Sequence, residues 1–184
     1  AREAYMRVYN EFPSSPYTAR SARFLAAAYE AEMMYSEAEI WYGRAADAAA
    51  LTGEELGEDV EQLAAAMAYK DAETLAQSED VESLLAAAAR FEESARAHVG
   101  TEVAPVALYD AGETYGKAGD ITNAIRVFKE LANSYPESEL AAEGMQRAAF
   151  LAMEAEQFIL AGDTYLEAYN RFPTAEGMHA TLYS

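Results

Sequence analysis

General-base or nucleophilic chemistry in this chain would have to run through His98, His179, Lys70, Lys117 or Lys129, set beside a serine or a carboxylate. His98 falls near a predicted helix end, where a cation is favourable, and His179 lies near the last residue. Neither stands in a His-x-x-x-His pair, so no catalytic residue and no histidine metal site is expected. There is no cysteine, which excludes disulfides, cysteine–zinc sites and iron–sulfur clusters. It decides nothing about redox compartment. Glu54, Glu55, Glu58, Asp59 and Glu61 offer the oxygen ligands that a hard cation wants. The stretch lacks the alternating Asp pattern and fixed glycine of a calcium loop. It reads as a solvated acidic turn, so neither metal nor cofactor is expected. What remains is binding chemistry, carried by 13 Tyr, 7 Phe, 1 Trp and a small set of cations.

Those residues sit in a strongly acidic chain. Thirty-two Asp and Glu oppose 13 Lys and Arg, a net charge of −19 over 184 residues. Phosphate backbones would be repelled, so no nucleic acid partner is expected. Hydrophobic residues make up 52%, too many for simple disorder. No stretch approaches the ~18 apolar residues of a membrane span, so direct membrane insertion is not expected. The chain opens on Ala1-Arg2-Glu3, which reads as a mature product or an excerpt.

The elements that position these residues are helices. Forty-two residues are alanine, the best helix former. Ala22, Leu25, Ala26 and Tyr29 share one helical face, and Leu108, Ala111, Gly112 and Tyr115 repeat that spacing. About ten helices of ~10–20 residues are predicted. Gly119 suits the left-handed residue that ends a helix, and Asp120 can then cap the next. Pro13, Pro136 and Pro173 each follow an aromatic residue and lack the amide that continues a helix. Gly100 closes a helix near Val99. The acidic stretch Gly53 to Glu61 turns into a helix start.

The pattern recurs. Ala124, Phe128, Leu131 and Pro136 have the spacing of Ala161, Tyr165, Ala168 and Pro173, and of Ala1, Tyr5, Val8 and Pro13. Ala38, Tyr42 and Ala45 repeat the first three positions, as do Ala87, Phe91 and Ser94. Steps from Ala1 to Ala38, Ala87 to Ala124 and Ala124 to Ala161 are each 37 residues; Ala38 to Ala87 is 49. Each stretch follows a helix with its own small–large pattern, so small residues let paired helices approach and an aromatic fills the gap.

This resembles the tetratricopeptide repeat. The best unit is Pro105 to Ser138, with Leu108, Ala111, Gly112, Tyr115, Ala124, Phe128 and Pro136 on the family's signature spacing. The resemblance implies an all-α fold, a right-handed α-solenoid of antiparallel helix pairs. Residues 1–15 read as the second helix of a partial repeat, followed by a repeat over 16–52. A divergent repeat with an insertion spans 53–100. Repeats over 101–138 and 139–174 follow, and 175–184 starts another. Tyr5, Val8, Met178 and Leu182 would then lie at open ends, as in an excerpt of a longer array or in ends covered by a partner. The Pro-x-Ser spacers after Pro13 and Pro136 resemble repeats of outer-membrane assembly lipoproteins and Tol–Pal coordinator proteins. That implies a periplasmic or outer-membrane-associated setting, with the cytoplasm as the alternative.

In this family the first helix of each pair lines a concave groove, which nominates ligand-binding positions. They are Arg20, Arg23 and Glu30 on one repeat, Tyr109, Glu113 and Lys117 on the best repeat, and Gln146 and Phe150 on the next. Arg20 and Arg23 could grip a carboxylate, against local pairing with Glu30 or another acid. Tyr109 and Phe150 could anchor a partner. Trp41 is expected to be half-buried beside core Tyr42. Met33 and Met34 are read as packing a turn, against an adaptable hydrophobic contact. The acids are scattered through every repeat, which favours solubility over steering. Three functions fit: a non-catalytic scaffold binding a peptide or partner domain, a structural subunit of a larger assembly or filament, or the recognition arm of an enzyme catalysing elsewhere. The first is preferred, with a protein or peptide partner, possible membership of a multi-subunit complex, and no enzyme within these residues.

Overall fold

A run of alanine-rich amphipathic stretches has only one way to bury its apolar stripes, which is helix against helix. The computed structural model describes residues 2–56 and 59–173. Among them are nine helices and no strand. These are α1 (Arg2–Glu11), α2 (Thr18–Ala31), α3 (Tyr35–Thr52), α4 (Val60–Leu75), α5 (Val81–Ala97), α6 (Val103–Lys117), α7 (Ile121–Ser134), α8 (Glu139–Glu154) and α9 (Phe158–Arg171). The expected tenth helix, from Ala175 to Tyr183, lies outside the described residues with Met178, His179 and Leu182. Gly57 and Glu58 of the acidic stretch do too. The chain divides into two units, residues 1–74 with 94–104, and residues 75–93 with 105–184.

In the first unit α2 packs against α1 and α3. Ala22, Leu25 and Ala26 are fully buried against Ala38, Trp41, Tyr42 and Ala45, and α4 adds Val60, Ala64 and Met67 to the same core. Trp41 departs from its expected half-buried state, with only 6% of its surface exposed. The reason is α1, whose Tyr9 meets the indole edge-on at 5.1 Å between ring centroids. Arg44 lies 4.5 Å over the same ring. Tyr5, on the same helix, packs on Phe24 at 5.2 Å.

In the second unit α8 packs against α7 and α9. Phe128, Leu131, Met145 and Val127 are among the largest fully buried side chains. The Phe128 ring fits only because two neighbours have no side chain. A Cβ on Gly112 would lie 2.6 Å from its Cζ, and one on Gly144 would lie 2.8 Å from its Cδ1. In α5 the residues Leu84, Ala87, Ala88 and Phe91 are buried. Ala38, Ala124 and Ala161 are each the fourth residue of their helix, whereas Ala87 is the seventh of α5. The added turn starts behind Asp80, whose Oδ1 accepts the Ser83 amide at 2.9 Å.

One turn recurs between α2 and α3, α6 and α7, and α8 and α9. Its central residues, Met33, Gly119 and Glu156, have φ of 59°, 80° and 58°. The following amide returns to the carbonyl five residues back in each: Met34 to Tyr29 at 3.0 Å, Asp120 to Tyr115 at 2.9 Å and Gln157 to Ala152 at 2.9 Å. This satisfies carbonyls that a helix end leaves open. Asp120 caps α7 as expected, accepting the Asn123 amide at 3.1 Å. The methionine reading is corrected here. Met33 closes the turn through its backbone and leaves its side chain 73% exposed, so its side chain is not what packs the turn.

Candidate functional site

The nominated residues fall into the two units separately. Those of the second unit lie on α6 and α8, which present side chains to each other across one face. Tyr109 donates its hydroxyl to Glu143 Oε1 at 2.8 Å. Arg147 donates Nε to Glu113 Oε1 at 2.6 Å. Burial and the Glu143 carboxylate together push the Tyr109 phenol well above its ordinary value. The Glu113 bond raises Arg147. Arg147 also lies 5.2 Å over the Phe150 ring. Around this polar lattice stand exposed apolar side chains: Val106, Phe150 and Met153. Lys117, in the last turn of α6, is exposed, and among the described residues its ammonium makes no ion pair. Gln146 is half-buried on α8.

The first unit uses its candidates differently. Arg20 has its guanidinium 3.2 Å from Glu54 Oε1, and its backbone amide donates to Oε2 of the same carboxylate at 3.3 Å. Glu54 is nearly buried and sits at the positive end of α2, so it serves as a charged cap. Glu30 accepts from the Tyr42 hydroxyl at 2.9 Å and from Lys70 at 3.3 Å. Arg23 is half-buried. His98 is also internal: its Nε2 is 3.3 Å from Glu39 Oε1. In the acidic turn Asp59 caps α4 through the amides of Glu61 and Gln62. No cluster of three metal-ligating side chains occurs among the described residues. None of their helices is long and apolar enough to cross a membrane.

The sequence reading missed the partners Glu54, Glu143 and Arg147, together with the pair Glu92–Arg126. In that pair Arg126 holds Glu92 through two bonds of 2.7 and 3.0 Å, and Glu92 is nearly buried. Burial and a hydrogen bond to Glu92 push the Tyr115 phenol up to about 12. A signal existed. Arg20–Glu54, Glu92–Arg126, Tyr109–Glu143 and Glu113–Arg147 are all 34 residues apart. For the last three pairs, like helices recur every 37 residues, so an offset of three brings facing turns into register; Arg20–Glu54 instead joins α2 to the turn after α3.

The α6–turn–α7 unit, with Phe128 on Gly112 and Asp120 capping, is where the comparison with known proteins decides. Residues 106–138 match the tetratricopeptide repeat. The matched repeat takes in most of α6, all of α7, Pro136 and Ser138. It coincides within one residue with the unit read from the sequence. No curated protein matches the chain.

Proposed function

We propose that the chain is a non-catalytic interaction scaffold that takes a peptide or partner domain on the face shared by α6 and α8. The observation that carries this is the exposed set Val106, Phe150 and Met153, together with Lys117, whose ammonium makes no ion pair among the described residues, on the matched repeat and the helix after it. Aromatic anchors dominate interface energies, and a lone cation beside them selects a carboxylate. Tyr109 and Glu113 act by holding the two helices in register rather than by meeting the ligand. In the first unit, Arg20 would have to leave Glu54 before gripping anything. The Pro-x-Ser spacers after Pro13 and Pro136 support the narrower reading of a bacterial envelope complex, periplasmic or outer-membrane-associated.

The test is a pull-down from native cell extract with the wild-type chain and a Phe150→Ala/Lys117→Glu variant. A discrete partner reduced about tenfold or more by the variant supports the reading. A partner held equally by both chains moves the interface off this face. Recovery of that partner from a periplasmic rather than a cytoplasmic fraction decides the setting.

A further inference from the structure

Helices α3, α7 and α9 follow the same turn and can be aligned from their first residues, Tyr35, Ile121 and Phe158. The first position is apolar in all three. The second is Ser36, Thr122 and Ile159; the third is Glu37, Asn123 and Leu160; the ninth is Gly43, Lys129 and Leu166. Three positions that are polar or glycine in two repeats are therefore aliphatic in α9. These side chains are exposed: Ile159 by 84%, Leu166 by 54% and Leu160 by 36%, with Phe158 at 63% beside them. Helix pairing does not require them, since α3 and α7 pair without them.

They converge on two shallow depressions. One is lined by Glu156, Phe158, Ile159, Leu160 and Asp163. The second continues along the helix through Asp163, Leu166, Glu167, Asn170 and Arg171, the last turned to Asn133 of α7 at 2.6 Å. Among the described residues neither Glu156 nor Asp163 has a cationic partner. An aliphatic stripe whose Glu156 and Asp163 carboxylates are unneutralised, while Glu167 is paired to Lys129, is complementary to apolar side chains flanked by Lys or Arg. A second copy of the chain would bring another −19 charge to an acidic edge, and an anionic lipid surface would be repelled for the same reason.

We propose that the outward face of α9 is a docking surface for a cationic amphipathic segment of a partner protein. Aliphatic residues of the segment cover Ile159, Leu160 and Leu166, and its cations pair with Glu156 and Asp163. This surface does not depend on the α6–α8 face, and the variants that test it leave Phe150 and Lys117 untouched.

The experiment uses the full chain and a labelled peptide of leucine and lysine in helical register, of the same 14-residue length as α9. A leucine–glutamate peptide of equal length is the control. Binding is read by fluorescence anisotropy. The expected result is saturable binding of the lysine peptide only. Ile159→Ser/Leu160→Asn, which installs the α3 and α7 residues and leaves charge unchanged, weakens it about tenfold or more. Asp163→Asn weakens it severalfold, and about 0.5 M salt does likewise. Both sites are on the surface, so an unchanged thermal melt verifies folding. Equal binding by the Ile159→Ser/Leu160→Asn variant would overturn the proposal, showing that net charge alone holds the peptide. So would a wild-type chain that sediments as a dimer and becomes a monomer in that variant. So would binding that appears only after residues 174–184 are removed, since the chain's own end would then fill the surface.

Discussion

The pair α2–α3 and the pair α6–α7 have the same turn and the same spacing, yet they fill their centres differently. Counting from the turn, Ala26 corresponds to Gly112, Tyr42 to Phe128, and Trp41 to Val127. In α2–α3 the bulk is spread sideways. Trp41 leans on Tyr9 of α1, and the Tyr42 hydroxyl reaches Glu30 at the edge. A methyl group at Ala26 is then accommodated, fully buried. In α6–α7 the bulk is one ring driven into the middle, and glycine is needed on both sides of it. Close packing fixes the total volume between helices and leaves open which residue supplies it.

The sharpest way to break that comparison is to remove the central ring. Phe128→Ala is expected to cost about 3–5 kcal/mol in urea unfolding, with Trp41→Ala costing less because its site adjoins α1 and can collapse. Equal costs would mean that the two centres are filled alike. Next, Gly112→Ala is expected to cost about 1–3 kcal/mol, because a rigid ring must move, whereas Ala26→Gly costs about 1 kcal/mol from helix propensity. In a Phe128→Leu background the Gly112→Ala cost should shrink. A cost that persists there assigns the glycine some other role.

A smaller effect comes from the charged ties. Arg126→Ala leaves the nearly buried Glu92 without its guanidinium and with the Tyr115 hydroxyl, and Arg20→Ala leaves the nearly buried Glu54 with only the backbone amide of residue 20. Each loss is expected at about 2 kcal/mol, with Arg126 the larger because it makes two bonds to its carboxylate. The reverse order would show that helix capping by Glu54 outweighs bidentate pairing.

The smallest effects are in pH. Hydroxyl bonds from Ser78 and Ser83 and the Ser83 amide hold the Asp80 carboxyl down to about 2. Because the folded value is depressed, that contribution is present above the ordinary 3.8 and is lost as pH falls through about 2. The Tyr115 phenol, raised to about 12, behaves oppositely: its contribution is full below the ordinary 10 and is lost as pH rises through 12. Carboxyl NMR titration of Asp80 and absorbance titration of Tyr115 read both, and ordinary midpoints would refute the bonding described.

Much of the frame was legible because it rests on local rules. Gly119 and Asp120 announced their turn through backbone and capping preferences, and the spacing from Leu108 to Pro136 marked the repeat that matches a known family. Met33 and Glu156 were not legible as turn residues, since neither favours the left-handed region. The burial of Trp41 needed the placement of α1, a tertiary fact. Of the candidate site, the choice of α6 and α8 came from the resemblance and the positions along them from helical spacing. Its internal pairing was not legible, because Arg147 and Glu143 lie one repeat away from the residues they hold. The same distance separates Arg20 from Glu54, so a cation that looked available is engaged.

Those ties have a consequence for how the chain comes apart. Glu92–Arg126, Tyr109–Glu143, Glu113–Arg147 and Lys129–Glu167 each join a helix to its counterpart in the following pair, never to its own hairpin partner. A pair that opens alone therefore strands charges on its neighbours as well as its own. Opening should spread along the second unit, and slow amide exchange there should report one collective event rather than a sequence of separate hairpins.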